Sequence, residues 1–120
     1  MNVLAVEHEP REDAIIVRVK GDVDSSTVGE LAAHLTAALG LAATQPTRPV
    51  VIDLQSVGFF GSAGLNAMLD CHEDGKATGT PVRLVAEHDQ VLRPIQVTEL
   101  DRVFDLYPTL TAALRGKRPR

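Results

Sequence analysis

Residues 50–69 of the chain are VVIDLQSVGFFGSAGLNAML. The first part, residues 50–54, is nearly all apolar, as expected of a central strand that is covered on both faces. A glycine-rich turn follows at residues 58–64, and Gly75 and Gly79 bracket the end of the helix that comes after it. The side chains that share one face of this helix are Leu65, Met68, Leu69 and His72. A buried strand, a turn and a helix in succession predict an α/β fold.

The sequence before this stretch predicts a hairpin and a helix. Residues 14–20 alternate apolar and polar side chains, which predicts a half-buried strand, and residues 3–8 predict an earlier strand that pairs with it. Residues 21–26, GDVDSS, break the second strand and supply N-cap residues. A helix of about 15 residues follows, because apolar side chains recur at helical spacing. They are Val28, Leu31, Leu35, Leu39 and Ala42.

The sequence after the stretch predicts one more strand, a short extended segment and two helices. Residues 81–86 form the strand, and a short helix begins at Asp89. Val103 and Phe104 predict the extended segment, and a last helix covers residues 108–114, opening with a proline. Helices that alternate with strands imply right-handed crossovers onto a mixed sheet. Only the first hairpin of that sheet is expected to be antiparallel.

The composition fits one small domain. The chain has 120 residues, and we assign residues 1–114 to a single domain and residues 115–120 to a basic, disordered tail. Residues 1–114 hold 8 basic and 16 acidic residues, a net charge of −8, which disfavours nucleic acid and anionic membranes as partners. The four aromatic residues are too few for a platform on which bases stack.

The cysteine content and the hydropathy point to the cytoplasm. Cys71 is the only cysteine, so no disulfide can form within the chain, which fits a reducing compartment. No apolar run approaches the length of about 18 residues that a membrane span needs, and no signal-peptide pattern opens the sequence. We therefore expect a cytoplasmic protein.

Motifs for catalysis are missing from the sequence. The glycine-rich turn fails the P-loop pattern because Leu65 stands where the lysine would be. It fails the nucleophile-elbow pattern because Phe60 replaces the first glycine, and the dinucleotide fingerprint has no match. The four histidines and Cys71 have no metal-ligand spacing. We expect no enzyme activity, no catalytic residue, no cofactor and no metal.

Two residues keep alternative interpretations. Ser62 is a candidate N-cap of the helix after the turn, where free N–H groups and the helix dipole also favour an anion. Asp53 ends a strand in an α/β chain, so it is a candidate phosphoacceptor of a receiver-like phosphorelay domain. The sequence lacks the acidic pair and the late lysine that such a site needs, and a bond from Asp53 to the neighbouring loop backbone is the simpler interpretation.

Two segments carry a resemblance to a known family. Gly21-Asp22-Val23-Asp24 before a helix resembles the G-E-L-D segment of STAS-domain anti-sigma-factor antagonists. Residues 50–69 resemble the family signature V-hydrophobic-D-L-S-x-V-x-F-[IM]-D-S-[ST]-G-L-x-x-[LM], with the strand, the aromatic, the turn and Leu65 in register. The resemblance covers about residues 3–114. It implies a STAS-type mixed sheet with the helices packed mainly on one face.

The resemblance also implies a mechanism, called partner switching, that regulates transcription. In this family the unmodified antagonist binds an anti-sigma factor that is also a serine kinase, with an ATP-binding histidine-kinase-like fold. Binding frees the sigma factor. The kinase then uses ATP and Mg²⁺ to phosphorylate the antagonist, which lets go, and a metal-dependent serine/threonine phosphatase resets it. The added phosphate brings about −1.5 to −2 charges to the partner-facing start of a helix.

The sequence departs from the family at the acceptor position. The usual acceptor is the Ser or Thr directly before the glycine, and that position is Ala63, while the usual preceding Asp is Gly61. Ser62 is the only hydroxyl residue in the turn, so it is our phosphoacceptor candidate. If Ser62 is not phosphorylated, the chain is a binder that the kinase cannot release. A STAS scaffold or small-ligand sensor is a further alternative.

The family resemblance implies a partner surface on two loops. The first loop contributes Asp22, Asp24 and Ser25, and the second contributes Gly61, Ser62, Ala63, Gly64, Leu65 and Asn66. Helix capping and solvation also account for the two aspartates, and both roles can hold. Phe59 and Phe60 precede the second loop and are expected to anchor the strand end that presents it.

Overall fold

The computed structural model describes residues 3–44 and 48–116. Five strands, four α-helices and a short 3-10 turn occur in those two ranges. The strands are β1 (Leu4–Pro10), β2 (Ile15–Val23), β3 (Val50–Phe60), β4 (Val82–Val85) and β5 (Asp105–Tyr107). The helices are α1 (Val28–Ala42), α2 (Ser62–Thr78), α3 (Asp89–Val97) and α4 (Leu110–Arg115), and the 3-10 turn is Leu100–Arg102.

The five strands form one sheet in the order of the sequence. β1 pairs antiparallel with β2, and each later pair is parallel, so the predicted mixed sheet with one antiparallel hairpin is confirmed. Because β2 to β5 follow one another in one direction across the sheet, crossovers of a single hand place α1, α2 and α3 on the same face. The prediction that the helices lie mainly on one face is also confirmed.

The main hydrophobic core lies between that face and the three helices. Each helix contributes buried aliphatic or sulfur-bearing side chains that meet alternate residues of the strands. They include Leu31 and Leu35 of α1, Met68 and Cys71 of α2, Val91 and Ile95 of α3, and Val17, Ile52 and Leu84 of the sheet. α4 covers part of the opposite face, where Ala113 packs with Val51, Val85 and Tyr107. The first three residues of β3, residues 50–52, are apolar and buried because both faces of the sheet are covered there.

β2 and β3 both continue beyond their predicted ends. Residues 21–23 and 58–60 were expected in loops, but Gly21 pairs with Val57 and Val23 pairs with Phe60. A side chain at Gly21 would strike the backbone oxygen of Val3, at 2.1 Å from the Cβ, and its φ of +113° is unfavourable for other residues. The glycines therefore permit irregular pairing in these strands where the sequence suggested that the strands ended.

The C-terminal elements differ in register from the predictions. The extended segment is β5, beginning at Asp105, while Phe104 is buried in the main core. The last helix begins after Thr109, whose hydroxyl accepts a hydrogen bond from the Ala112 N–H at 3.1 Å, so Pro108 lies outside it. Gly75 lies inside α2, and the helix ends at Gly79 in the left-handed conformation. The disordered tail stays a prediction, because residues 117–120 lie outside the described residues and Arg115 is the last residue of α4.

Candidate functional site

The two predicted partner-binding loops meet at the carboxyl ends of β2 and β3. Val23 is the last residue of β2 and pairs with Phe60, the last residue of β3. The Gly61 N–H then donates to the carbonyl oxygen of Val23 at 3.2 Å, which joins the second loop to the first. This edge of a parallel sheet is where α/β proteins place their binding sites. The loops are therefore neighbours because their strands are paired.

The first loop is held by the side chain of Asp24. Its Oδ1 accepts hydrogen bonds from the Ser26 N–H at 2.9 Å, the Ser26 hydroxyl at 2.7 Å and the Thr27 N–H at 3.1 Å. The Thr27 hydroxyl donates to the carbonyl oxygen of Asp22 at 2.8 Å. These bonds close the turn that precedes α1. The N-cap of α1 is Thr27 and no side chain caps this helix, so Asp24 orders the turn before the helix and does not cap it. Ser25 is left exposed at the tip of the loop.

The second loop presents Ser62 at the start of α2. The N-cap is Gly61, with extended backbone (φ −93°, ψ −168°), and no side chain caps the helix. The prediction that Ser62 caps the helix is therefore wrong, because Ser62 is already its first residue and its side chain is exposed. No acidic residue occupies the first turn. The helix start thus combines an exposed hydroxyl with N–H groups that have no acceptor inside the helix.

Gly64 determines how closely α2 approaches the sheet. A Cβ on this residue would lie 2.7 Å from Cε1 of Phe60 and 3.1 Å from Cγ1 of Val23. Since Phe60 and Val23 are both buried, neither can move aside freely. The absence of a side chain at Gly64 lets the first turn of α2 rest on the ends of both strands, and this contact turns Ser62 toward solvent.

Members of the predicted partner surface differ in accessibility. Ser25, Ser62 and Asn66 are exposed, and the half-buried members are Asp22, Asp24, Gly61 and Ala63. Gly64 and Leu65 are buried, so they position the loop from below. A direct contact of Gly64 or Leu65 with a partner stays a prediction.

The two phenylalanines before the turn have different environments. Phe60 is 2% exposed and anchors the strand end as predicted, whereas Phe59 is 53% exposed. The Phe59 ring lies over Gly61, where a Cβ would be 3.0 Å from its Cε2. Asp22 lies on the other side of β3's end, with its Oδ1 3.3 Å from where a Cβ of Gly58 would be. Phe59 is therefore a surface residue of this site, although it was expected, like Phe60, to anchor the strand end.

Comparison with known proteins assigns the family. The sequence profile of the STAS domain matches residues 5–113. The chain belongs to the STAS domain family. The anti-sigma-F factor antagonist RsfB of Mycobacterium tuberculosis is 34% identical over 105 residues, which are 86% of this chain and 80% of RsfB. RsfA of the same organism, also an anti-sigma-F factor antagonist, is 26% identical over 113 residues, or 94% of this chain and 87% of RsfA.

A solved structure supports the same assignment. The crystal structure of an anti-sigma factor antagonist from Mycobacterium paratuberculosis matches this STAS domain with a TM-score of 0.85 and 33% identity. The match covers 98% of this chain and 96% of that protein. The resemblance drawn from residues 21–24 and 50–69 is thereby confirmed.

Asp53 occupies an unsuitable position for a receiver-type phosphoacceptor in this STAS domain. The sequence placed it at the end of a strand, but β3 continues for seven further residues to Phe60. Its Oδ1 accepts a hydrogen bond from the Gln55 N–H at 3.0 Å. The side chain borders a groove of the open sheet face together with Arg18 and Lys20, away from the ends of the strands. Its bond to the nearby backbone matches the simpler interpretation.

The cysteine of the STAS domain is buried in the main core. Burial, with a smaller contribution from Asp74, raises the pKa of the Cys71 thiol to about 12, so this cysteine stays protonated and unreactive at neutral pH. Within residues 3–44 and 48–116, no group of three or more His, Cys, Asp and Glu side chains is arranged to hold a metal ion. None of the helices in those ranges combines the length and apolar character that crossing a bilayer requires.

Proposed function

We propose that this STAS domain is an anti-sigma-factor antagonist in a partner-switching system that regulates transcription. Its partner is an anti-sigma factor that is also a serine kinase, with the ATP-binding histidine-kinase-like fold, in the cytoplasm. The relationship to RsfB at 34% identity supports an anti-sigma factor as the partner. The observation that carries the proposal is an exposed serine at the uncapped start of α2, directly beside a second ordered loop.

The proposed binding surface consists of the two joined loops. It includes Asp22, Asp24, Ser25, Gly61, Ser62, Ala63, Gly64, Leu65 and Asn66. Asp24 holds the first loop through its hydrogen bonds, and Gly64 sets the position of the second. A surface that is ordered before binding loses less conformational entropy when the partner docks. The two aspartates make the surface acidic, so its complement on the anti-sigma factor is basic.

Phosphorylation of Ser62 is the proposed control. The Ser62 hydroxyl oxygen attacks the γ-phosphorus of ATP, the bond to ADP breaks, and the hydroxyl proton passes to a base of the kinase. The phosphate adds about −1.5 to −2 charges at the helix start, which the N–H groups of α2 tolerate. Asp22 and Asp24 already make the neighbouring surface acidic, so the extra charge alters its complementarity and the partner dissociates. A serine phosphatase restores the binding form.

The position of the acceptor can be tested directly. The purified protein is incubated with its cognate kinase and Mg-ATP, and the modified residue is mapped by mass spectrometry. We expect one phosphate on Ser62 and none in Ser62→Ala, while Ser56→Ala, a control at an exposed serine outside the two loops, is modified like the wild type. The phosphate is expected to survive acid, whereas an aspartyl phosphate hydrolyses. Label on Ser25, Ser26 or Thr27 would refute the assignment of Ser62.

A second function is favoured by Ala63, which has no hydroxyl at the usual acceptor position. In that alternative the domain binds the anti-sigma factor whatever the kinase activity. It then acts as a constitutive sequestering protein. Absence of any label in the mapping experiment, together with binding that ATP does not reverse, would select this alternative over the switch.

A further inference from the structure

The ring of Phe59 has a defined place on the surface because Gly61 leaves room for it. Gly61 has φ −93°, a value that any residue adopts, so the backbone does not require glycine there. A Cβ at this position would lie 3.0 Å from Cε2 and 3.1 Å from Cζ of Phe59. The missing side chain therefore allows the half-exposed ring to lie across the turn, next to Ser62.

On its other side, the Phe59 ring borders a groove of about 340 Å³ between the end of β3 and helix α3. The groove continues over Pro94 and Val97, and the side chains of Asp89 and Arg93 also line it. Val97 is 76% exposed. Among the described residues, five large apolar side chains are exposed, and two of them, Phe59 and Val97, line this groove.

The groove combines an aromatic ring with an arginine, two residue types that are enriched in protein interfaces. Interface hot spots are enriched in aromatic residues and arginine that lie in pockets closed to water when the partner binds. Phe59 supplies a ring with few rotatable bonds, and Arg93 supplies a planar group that pairs well with a carboxylate. The groove is also continuous with the proposed binding surface, since the Phe59 ring touches Gly61 and Gly61 precedes Ser62.

We propose that this groove forms a second part of the anti-sigma-factor-binding surface. It takes an apolar side chain of the anti-sigma factor between Phe59 and Val97, and an acidic residue beside that side chain pairs with Arg93. The inference rests on the proposed function and names residues outside the two loops. The groove supplies affinity, and Ser62 supplies the electrostatic switch. Loss of the groove therefore weakens binding of the unmodified form.

The test measures the affinity of a purified anti-sigma factor for variants of the whole chain. The probe is the kinase-class anti-sigma factor, from the organism that carries this chain, that binds the wild-type protein most tightly by calorimetry. Phe59→Ser and Val97→Ser are expected to raise the Kd at least tenfold. Leu41→Ser and Val103→Ser, controls at exposed apolar residues that do not line the groove, are expected to change it less than twofold. Thermal unfolding verifies that all four variants fold.

Two results would overturn the inference in distinguishable ways. If Phe59→Ser and Val97→Ser bind like the wild type while Ser62→Glu no longer binds, the groove plays no part and the proposed function stands. If the wild type binds none of the anti-sigma factors, the inference and the proposed function fall together.

A double-mutant cycle tests the role assigned to Gly61. Gly61→Ala is expected to weaken binding in the wild-type background because the new methyl group displaces the Phe59 ring. It is expected to have little further effect in Phe59→Ser, because the ring is already absent. Additive effects of the two substitutions on the binding free energy would contradict this account of Gly61.

Discussion

The missing side chains of Gly61 and Gly64 determine how the second loop packs. Gly64 and Gly61 are both glycines of one turn, but they are glycines for different reasons. At Gly64 a methyl group would strike a buried ring and a buried valine, whereas at Gly61 it would crowd the exposed ring of Phe59 and meet the Val23 carbonyl oxygen at an ordinary contact distance of 3.9 Å. Gly64 therefore faces the core, and Gly61 faces the surface. We expect a side chain at Gly64 to reduce stability and a side chain at Gly61 to reduce binding.

We expect Gly64→Ala to lower the free energy of unfolding by about 1–3 kcal/mol, the usual cost of overpacking a core. Gly40→Ala is the matched control, because Gly40 lies in α1 and its Cβ position has no neighbour within 4 Å apart from the adjoining backbone of the helix. In an exposed helix that change stabilises by about 0.5–1 kcal/mol. Urea unfolding followed by circular dichroism measures both. Equal stability of the two variants would show that α2 does not rest on Phe60 as described.

The alternation of side chains along β3 separates the two phenylalanines, although both were expected to anchor the strand end. Phe60 has an even number like Val50, Ile52 and Leu54, and these side chains all point into the main core. Between them β3 carries two register irregularities, so Val57 points inward and breaks the alternation. The second irregularity restores the parity at Phe60. Bulges depend on how the partner strand pairs, so the sequence alone does not locate them.

At the scale of elements, the sequence predicts the order of strands and helices, but it does not predict the residues at which they end. Alternation and helical spacing identified the elements because burial imposes those periods on the chain. The glycines at 21 and 58 were interpreted as strand ends, but pairing between β2 and β3 continues through both. The sequence around a residue indicates which backbone conformations it permits, but pairing with a neighbouring strand determines which conformation it adopts. The same limit applies to Ser62, since Gly61 takes the N-cap position.

The turn before α1 offers a test that separates a structural role of Asp24 from recognition. Asp24→Ala removes the acceptor of three hydrogen bonds in this turn, and we expect a loss of about 0.5–1.5 kcal/mol of unfolding free energy. Asp24→Asn keeps an oxygen acceptor, so its stability is expected to stay within a few tenths of a kcal/mol of the wild type. Chemical denaturation measures both, and the anti-sigma factor is then titrated against Asp24→Asn.

The two variants of Asp24 distinguish a structural role of this residue from a role in binding the anti-sigma factor. Weaker binding of Asp24→Asn at unchanged stability would assign the carboxylate charge to recognition. Wild-type affinity of Asp24→Asn would limit the residue to holding the turn before α1. A stability of Asp24→Ala equal to that of the wild type would contradict the hydrogen bonds assigned to Asp24.

At the scale of the whole molecule, the fold divides its two tasks between separate regions. α1, α2 and α3 cover one face of the sheet and build the main core, while α4 packs on the other face. The first and second loops and the groove beside Phe59 lie where β2 and β3 end, so the proposed binding surface is formed at the ends of the most extensively paired strands. The proposed function is thus concentrated at the ends of these two strands, and the acidic balance of the chain favours a basic partner.

The central claim is that Ser62 phosphorylation releases an anti-sigma factor from this STAS domain. The most direct measurement is calorimetric titration of that anti-sigma factor, in the presence of ADP, with unmodified protein and with protein whose phosphate has been mapped to Ser62. We expect the unmodified form to bind and the phosphorylated form to bind at least a hundredfold more weakly, with Ser62→Ala matching the unmodified form in affinity. Equal affinity of the phosphorylated and unmodified forms would contradict the claim.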